Sequence, residues 1–179
     1  VIKNLGVEGT ITCSASTVGG LVGENIYQSE NITIENCYTN VAIKDNLNYP
    51  SICPTIGGLI GGFNGESSVM RNCYAVGTIE AFDNHDPWSV STIGGIIGSY
   101  ADVDVSNCYT TESRGIGNDP TVGHYGNVQN CYAMEEGDAD MAGHLFKIPD
   151  DMSSFLAALN QNGDNPYVAD FQNINMGYP

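Results

Sequence analysis

Positive charge is what this sequence lacks most. Lys and Arg together number 5 among 179 residues, against 21 Asp and Glu, for a formal charge of -16. Binding a nucleic-acid backbone needs clustered Lys or Arg to neutralise phosphate, so no nucleic-acid partner is expected, and an anionic membrane surface is equally disfavoured. Long apolar runs are missing too. Nothing approaches the ~20 consecutive apolar residues that cross a bilayer, so no membrane insertion is expected from this segment. The 6 cysteines include no C-x-x-C pair, which argues against a zinc site. The chain opens at Val1 directly into patterned sequence, VIKNLGVEGTI, with no signal-peptide pattern, and reads as a fragment of a longer exported protein. An acidic composition rich in Asn, Ser and Gly and poor in Lys points the same way, to a secreted or surface-exposed protein.

What the chain has in quantity is glycine, 22 residues, and repetition. Asn-Cys-Tyr occurs four times, with its Cys at residues 37, 73, 108 and 131, spacings of 36, 35 and 23. Interleaved with it are VGGLVG, IGGLIG and IGGIIG, beginning at Val18, Ile56 and Ile93, and a degenerate copy, VGHYGN, from Val122. A period of ~20–50 residues marks a solenoid, in which each unit buries its apolar face only against its neighbours. The repeated runs are short, rich in Val, Ile, Thr and Tyr, and bounded by Gly, Asn, Asp and Pro, which is strand composition. Three strands per coil are expected: the Gly-Gly run, a strand such as NITIE, and the strand that begins at Cys. Stacked, they form an all-β, parallel β-solenoid of about four coils, right-handed by the crossover rule.

Alternation changes phase at the Asn-Cys step. Ile32 and Ile34 stand at odd offsets before Cys37, while Thr39, Val41 and Ile43 stand at even offsets after it. A parity shift places a bend there, and Asn suits a corner because its amide bonds nearby backbone and it tolerates unusual dihedrals. Cys then points inward as a small hydrophobe and Tyr points outward. IKNLGVEGTI aligns without gaps on MRNCYAVGTI and puts Leu5 where the others have Cys, so the position is one of packing. A structural ladder is therefore expected of Asn36 and Cys37, Asn72 and Cys73, Asn107 and Cys108, and Asn130 and Cys131, the thiols reduced and buried above Leu5. Cys13 shares the inward parity of Leu5 and Ile11; Cys53, in YPSICPT, is left as the exposed or paired one.

The pattern IGGLIG…NCYAVG resembles the GLUG motif, a repeat of large exported bacterial proteins that include adhesin-like proteins and certain immunoglobulin A-cleaving peptidases. VIKNLGVEGTITCSASTVGGLVG resembles the usual opening of such an array, with Leu-Gly in place of Cys-Tyr. The segment from Asp138 to Pro179 resembles the tail that often closes one. VGHYGNVQNCY departs from the pattern, being shortened and lacking the second Gly, so an irregular last coil is expected. The resemblance implies an exported, multidomain context and brings no catalytic residues with it.

Two regions follow: residues 1–137 as GLUG-like solenoid repeats, and residues 138–179 as a C-terminal helix and extended cap. In IPDDMSSFLAALNQNG, Met152, Phe155, Leu156 and Leu159 fall at offsets 0, 3, 4 and 7, an amphipathic helix. Asp150 and Asp151 favour its first turn and Gly163 a stop beyond its end. Such a helix is placed to cover the open end of the solenoid.

Candidate chemistry is sparse. DNHDPW brings Asp83, His85 and Asp86 close in sequence, with Trp88 after them, and a carboxylate–imidazole set can do acid–base work. That gives the alternative of a polysaccharide-cleaving solenoid. No nucleophile motif accompanies the set, which otherwise reads as a solvated loop; His124 and His144 are isolated and read as structural. DVDVS, with Asp102 and Asp104 both facing solvent, and NQNGDN, with Asn160, Asn162 and Asp164, are oxygen-rich without the 12-residue EF-hand spacing. Ca2+ is thus the one cofactor the composition admits, and none is required. The insertions KDNLNYPSICPT, AFDNHDPWSVST and TESRGIGNDPT emerge at equivalent places in successive coils, on one side of the solenoid. They carry Tyr49, Phe82, His85 and Trp88, the residues assigned to ligand binding. Aromatic rings beside Asp and Asn suit a sugar face, against the plainer course in which Trp88 folds back and buries itself. The expectation is a non-catalytic structural or adhesive module of a bacterial cell-surface or secreted protein. Its partners would be a host glycan or surface protein, and the neighbouring domains of its parent chain.

Overall fold

The computed structural model describes residues 1–14, 16–24, 31–46, 54–80, 92–112, 127–134, 145–161 and 167–168, without the side chains at 64, 66 and 100–102. In chain order the first strands are β1 (Ile2–Lys3), β2 (Gly6–Cys13), β3 (Thr17–Gly19), β4 (Val22–Glu24), β5 (Thr33–Glu35) and β6 (Tyr38–Asp45). The middle coils contribute β7 (Thr55–Gly57), β8 (Ile60–Arg71), β9 (Tyr74–Glu80), β10 (Thr92–Gly94), β11 (Ile97–Ser106) and β12 (Tyr109–Thr110). Then come β13 (Val128–Gln129), β14 (Cys131–Ala133), β15 (Leu145–Lys147) and one helix, α1 (Met152–Leu159).

Every strand pairing is parallel, and the strands sort into three sheets. One carries β1, β4, β5, β8, β11 and β13; a second runs β2, β6, β9, β12, β14, β15; the third stacks β3, β7 and β10. The chain visits them in rotation, and each circuit lies on the one before. Among the described residues the result is the expected all-β stack of parallel coils, with one C-terminal helix.

Register is held by repetition of the same residue types. Ile2, Ile34, Met70, Val105 and Val128 stand one above another in the first sheet. Val18, Ile56 and Ile93 do so in the third. Because side chains alternate faces along a strand, a slip of one residue would turn each of these rows out to solvent. The largest core cluster, with Ile34, Leu59, Ile60, Phe63, Met70 and Val105 all buried, fills the space between the first two sheets. A second, around Val18, Val41, Ile43 and Ile56, lies between the second and third.

The Gly-Gly run is not one strand, as its apolar composition suggested, but a corner. In the second coil β7 ends at Gly57 in the third sheet and β8 begins at Ile60 in the first. A Cβ on Gly57 would lie 1.8 Å from the carbonyl oxygen of Ile60, and one on Gly58 would lie 2.0 Å from that of Gly95. Only hydrogen fits where the chain folds so sharply upon itself and upon the next coil. The corner's amides bond upward, Gly58 N to Gly94 O at 3.1 Å and Leu59 N to Ile96 O at 2.9 Å. Leu59 and Ile96 point into the core from it. The strand that follows is continuous from Ile60 to Arg71, interrupted only by a bulge. Asn64 faces Ala101 and Ser68 faces Val103, and the added chain is accommodated by Ser67 at φ +59°.

Candidate functional site

The repeated Asn-Cys-Tyr unit builds the corner between the first and second sheets. Asn4, Asn36, Asn72, Asn107 and Asn130 all have φ between +51° and +56°. This left-handed bend carries the chain from the first sheet to the second, and Asn tolerates it better than other residues with a Cβ. Each side chain then bonds the one below. Nδ2 donates to Oδ1 from Asn36 to Asn4 (3.1 Å), Asn72 to Asn36 (3.2 Å), Asn107 to Asn72 (3.3 Å) and Asn130 to Asn107 (2.7 Å). An amide both donates and accepts, so it can sit in a polar ladder of any length, which a carboxylate or an ammonium cannot.

Inside the same corner runs the thiol row. Cys37, Cys73, Cys108 and Cys131 are at most 1% exposed, all free. Each sulfur lies near the carbonyl two residues earlier, from 3.2 Å for Cys73 and Cys108 to 3.3 Å for Cys37 and Cys131. Contact with the Cys73 thiol, and burial, push the Cys37 thiol up; burial does the same first of all for Cys108. At Cys37 and Cys108 this surrounding favours the neutral thiol, packed as a small hydrophobe. Two leucines flank the row: Leu5 stands below Cys37 and Leu145 directly above Cys131. Leu145 is buried, whereas Leu5, in the first coil, is 45% exposed. Cys13 is half-buried, its Sγ 3.8 Å from the Lys44 carbonyl. Cys53 lies outside the described residues.

On the outer side of the second sheet the tyrosines stack. The rings of Tyr38, Tyr74 and Tyr109 are 5.1 and 5.0 Å apart and tilted by 8°. Tyr74 is thus sandwiched between its neighbours, and the Tyr38 ring lies against Gly6 below, where a Cβ would meet its ring carbons. The upper part of the stripe is covered. Phe155 of α1 packs edge-on against both Tyr109 (5.2 Å) and Tyr132 (5.3 Å), and Tyr167 lies across Tyr74 and Tyr109. Tyr167 Oη donates to the carbonyl of Asn107 at 2.6 Å. The helix thus sits on the flank of the coils, over the tyrosines; they are the larger apolar surface left bare by the sheet, and covering them buries Tyr109 completely. Asp151 is its N-cap, accepting from Ser154 N at 2.8 Å, and not a first-turn residue. The Ser154 hydroxyl first, then that backbone bond and the Ser153 hydroxyl, hold its carboxyl down to about 2.

Scarce positive charge is spent between coils. Lys3, Glu35 and Arg71 occupy one register position in three successive coils, and Glu35 pairs with both cations. Hydrogen bonds from Lys3, then Arg71, hold its carboxyl below the usual range. Lys44 pairs with Glu80 at 3.1 Å.

The residues assigned to ligand binding, Tyr49, Phe82, His85 and Trp88, lie outside the described residues, as do Asp83, Asp86, His124, His144, Asn162, Gly163 and Asp164. What is described is where their loops attach. Thr17, Thr55 and Thr92 stack as the first residues of the third sheet, with Thr92 Oγ1 donating to Thr55 Oγ1 at 3.0 Å. Asn46 N bonds Cys13 O on the approach side, at 2.8 Å. The described residues that flank segments 47–53 and 81–91 are therefore stacked coil on coil. Of the oxygen-rich segments, Asp104 is exposed on β11, and Asn160 is engaged with the Tyr167 backbone through both its amide atoms. Among the described residues no three His, Cys, Asp or Glu side chains gather to hold a metal, and no helix is long and apolar enough to cross a membrane.

Sequence reasoning missed Leu145 and Tyr167 as parts of this assembly, and set Phe155 on a covering helix but over the open end of the solenoid instead of the tyrosines. For Leu145 a signal existed, since Leu-Phe at 145–146 takes the Cys-Tyr places much as Leu-Gly does at 5–6. No protein-family model, curated protein or solved structure matches the chain.

Proposed function

We propose that this chain is a rigid, non-catalytic module of a bacterial cell-surface or secreted protein, which holds its insertions along one edge and binds a glycan or protein surface through them. The observation that carries the reading is the stacking of the insertion flanks at Thr17, Thr55 and Thr92 on a frame tied together at every coil. Loops of differing length and composition on a regular scaffold are the usual arrangement for recognition. The tyrosine stripe is a poor rival, because a sugar stacks on a ring face, and the faces between Tyr38, Tyr74 and Tyr109 are occupied by one another while Gly6 lies against the Tyr38 ring. Tyr49, Phe82, His85 and Trp88 on the insertions are the aromatic groups assigned to contact.

The experiment is binding of the purified chain to a broad panel of host and microbial glycans and matrix proteins, beside a Trp88→Ala, Tyr49→Ala variant. Specific binding that falls at least tenfold in the variant supports the reading. Silence from both leaves a spacer that displays a neighbouring domain. Glycan cleavage that disappears on Asp86→Ala would replace the reading with the polysaccharide-cleaving one.

A further inference from the structure

The two ends of the asparagine ladder are unlike. At the upper end it is closed by the protein itself. Asn130 Nδ2 donates to Ala158 O at 3.1 Å as well as to Asn107, and Asn130 Oδ1 accepts from Tyr132 Oη at 2.8 Å. At the lower end Asn4 Oδ1 accepts from Asn36, and among the described residues nothing takes the protons of Asn4 Nδ2. The same face bears the edge strands of all three sheets, β1, β2 and β3. It also bears Leu5, the bottom of the thiol row, 45% exposed, and Val1, 85% exposed. An eight-residue edge strand with apolar residues beside it is a template for strand addition.

We propose that this face is a strand-addition surface for one further coil of the same repeat, carried by a polypeptide segment outside residues 1–179. What it would accept follows from the interface between coils, which is already built above it and would be continued downward. The ladder runs one way, each Asn donating to the one below, so Asn4 calls for an amide oxygen at the incoming corner. The residue before that Asn stands under Lys3. The column above alternates Lys3, Glu35, Arg71, so an acidic side chain continues it. The residue after the Asn meets Leu5 and is apolar. The occupant is thus a parallel strand pair with an acidic-Asn-apolar corner, a description that Glu35, Asn36 and Cys37 themselves satisfy. A second copy meeting this face with its own would bring another Lys3-Asn4-Leu5 corner in place of the acidic-Asn-apolar one that continues the columns.

The test uses the whole chain and a labelled peptide of residues 31–45 carrying Cys37→Leu. Saturable binding is expected, with hydrogen exchange slowed at residues 2–13. Asn4→Gly in the chain keeps the left-handed bend and deletes the amide, and should weaken binding at least tenfold while costing stability only the ~1 kcal/mol of the lost Asn36–Asn4 bond, so that the variant stays folded. Glu35→Lys in the peptide should weaken binding likewise. Absence of saturable binding, slowed exchange confined to other strands, or equal binding by Asn4→Gly would overturn the proposal. So would self-association of the chain alone that Leu5→Asp abolishes, since that assigns the face to a second copy.

Discussion

The side-chain amide of Asn130 donates to the carbonyl of Ala158, so the ladder that climbs one corner of the coils ends in the last turn of the helix. Asn130→Gly keeps the bend, at φ +51°, and removes the ladder's top bonds together with the Tyr132 contact. Each such hydrogen bond is worth ~1 kcal/mol net. Amides of residues 152–159 should exchange roughly tenfold faster in this variant, while those of β6 and β9 are unchanged. Uniform acceleration throughout would show instead that the helix and coils open as one unit.

Asn72 separates backbone from side chain in the middle of the ladder. It has φ +55°, donates to Asn36 and accepts from Asn107. Asn72→Ala forces a Cβ-bearing residue without a compensating amide into the left-handed region, at ~1 kcal/mol, and breaks two bonds of ~1 kcal/mol each. Asn72→Gly breaks the bonds alone. Urea titration should rank wild type above Gly, and Gly above Ala by ~1 kcal/mol; Ala equal to Gly would mean that the bend is not under strain there.

Thiol reagents give a view of the core. Cys37, Cys73, Cys108 and Cys131 should stay unlabelled in the native protein and react together as it unfolds. Half-buried Cys13 should react first among the described cysteines. Rapid native labelling of the four would contradict a closed row.

The N-cap sets a limit in acid. Folding lowers the Asp151 carboxyl from its ordinary 3.8 to about 2, so the unfolded chain takes up the proton first. The contribution is therefore complete above pH 3.8 and fades as pH falls through about 2. Helix exchange rates measured between pH 5 and 2 should rise toward the acid end beyond their intrinsic pH dependence. Asp151→Asn should flatten that excess; the same rise in the variant would place its cause elsewhere.

How much of this was legible depends on how local its causes are. The parity change at Asn36–Cys37 marks a corner in the sequence because alternation is a property of neighbouring residues. The helix at 152–159 could be read likewise, from apolar spacing. The division of IGGLIG into a corner was not, since nothing in its composition separates a buried strand from a bend in which Gly57 and Gly58 must shed their Cβ. Nor was the destination of the helix. An amphipathic face says that something is covered, and the apolar surface that meets it is assembled from Tyr109 and Tyr132, residues of different coils.

By itself, then, the sequence determined the coil: its period, its inward rows and its asparagine corner, each set by residues within one turn of the repeat. The tertiary structure alone decided what happens at the limits of that repeat. Leu145 closes the thiol row above, Leu5 leaves it open below, and α1 lies along the flank with Tyr167 beside it. These are outcomes of which unlike surfaces meet once the coils are stacked, and no periodicity encodes them.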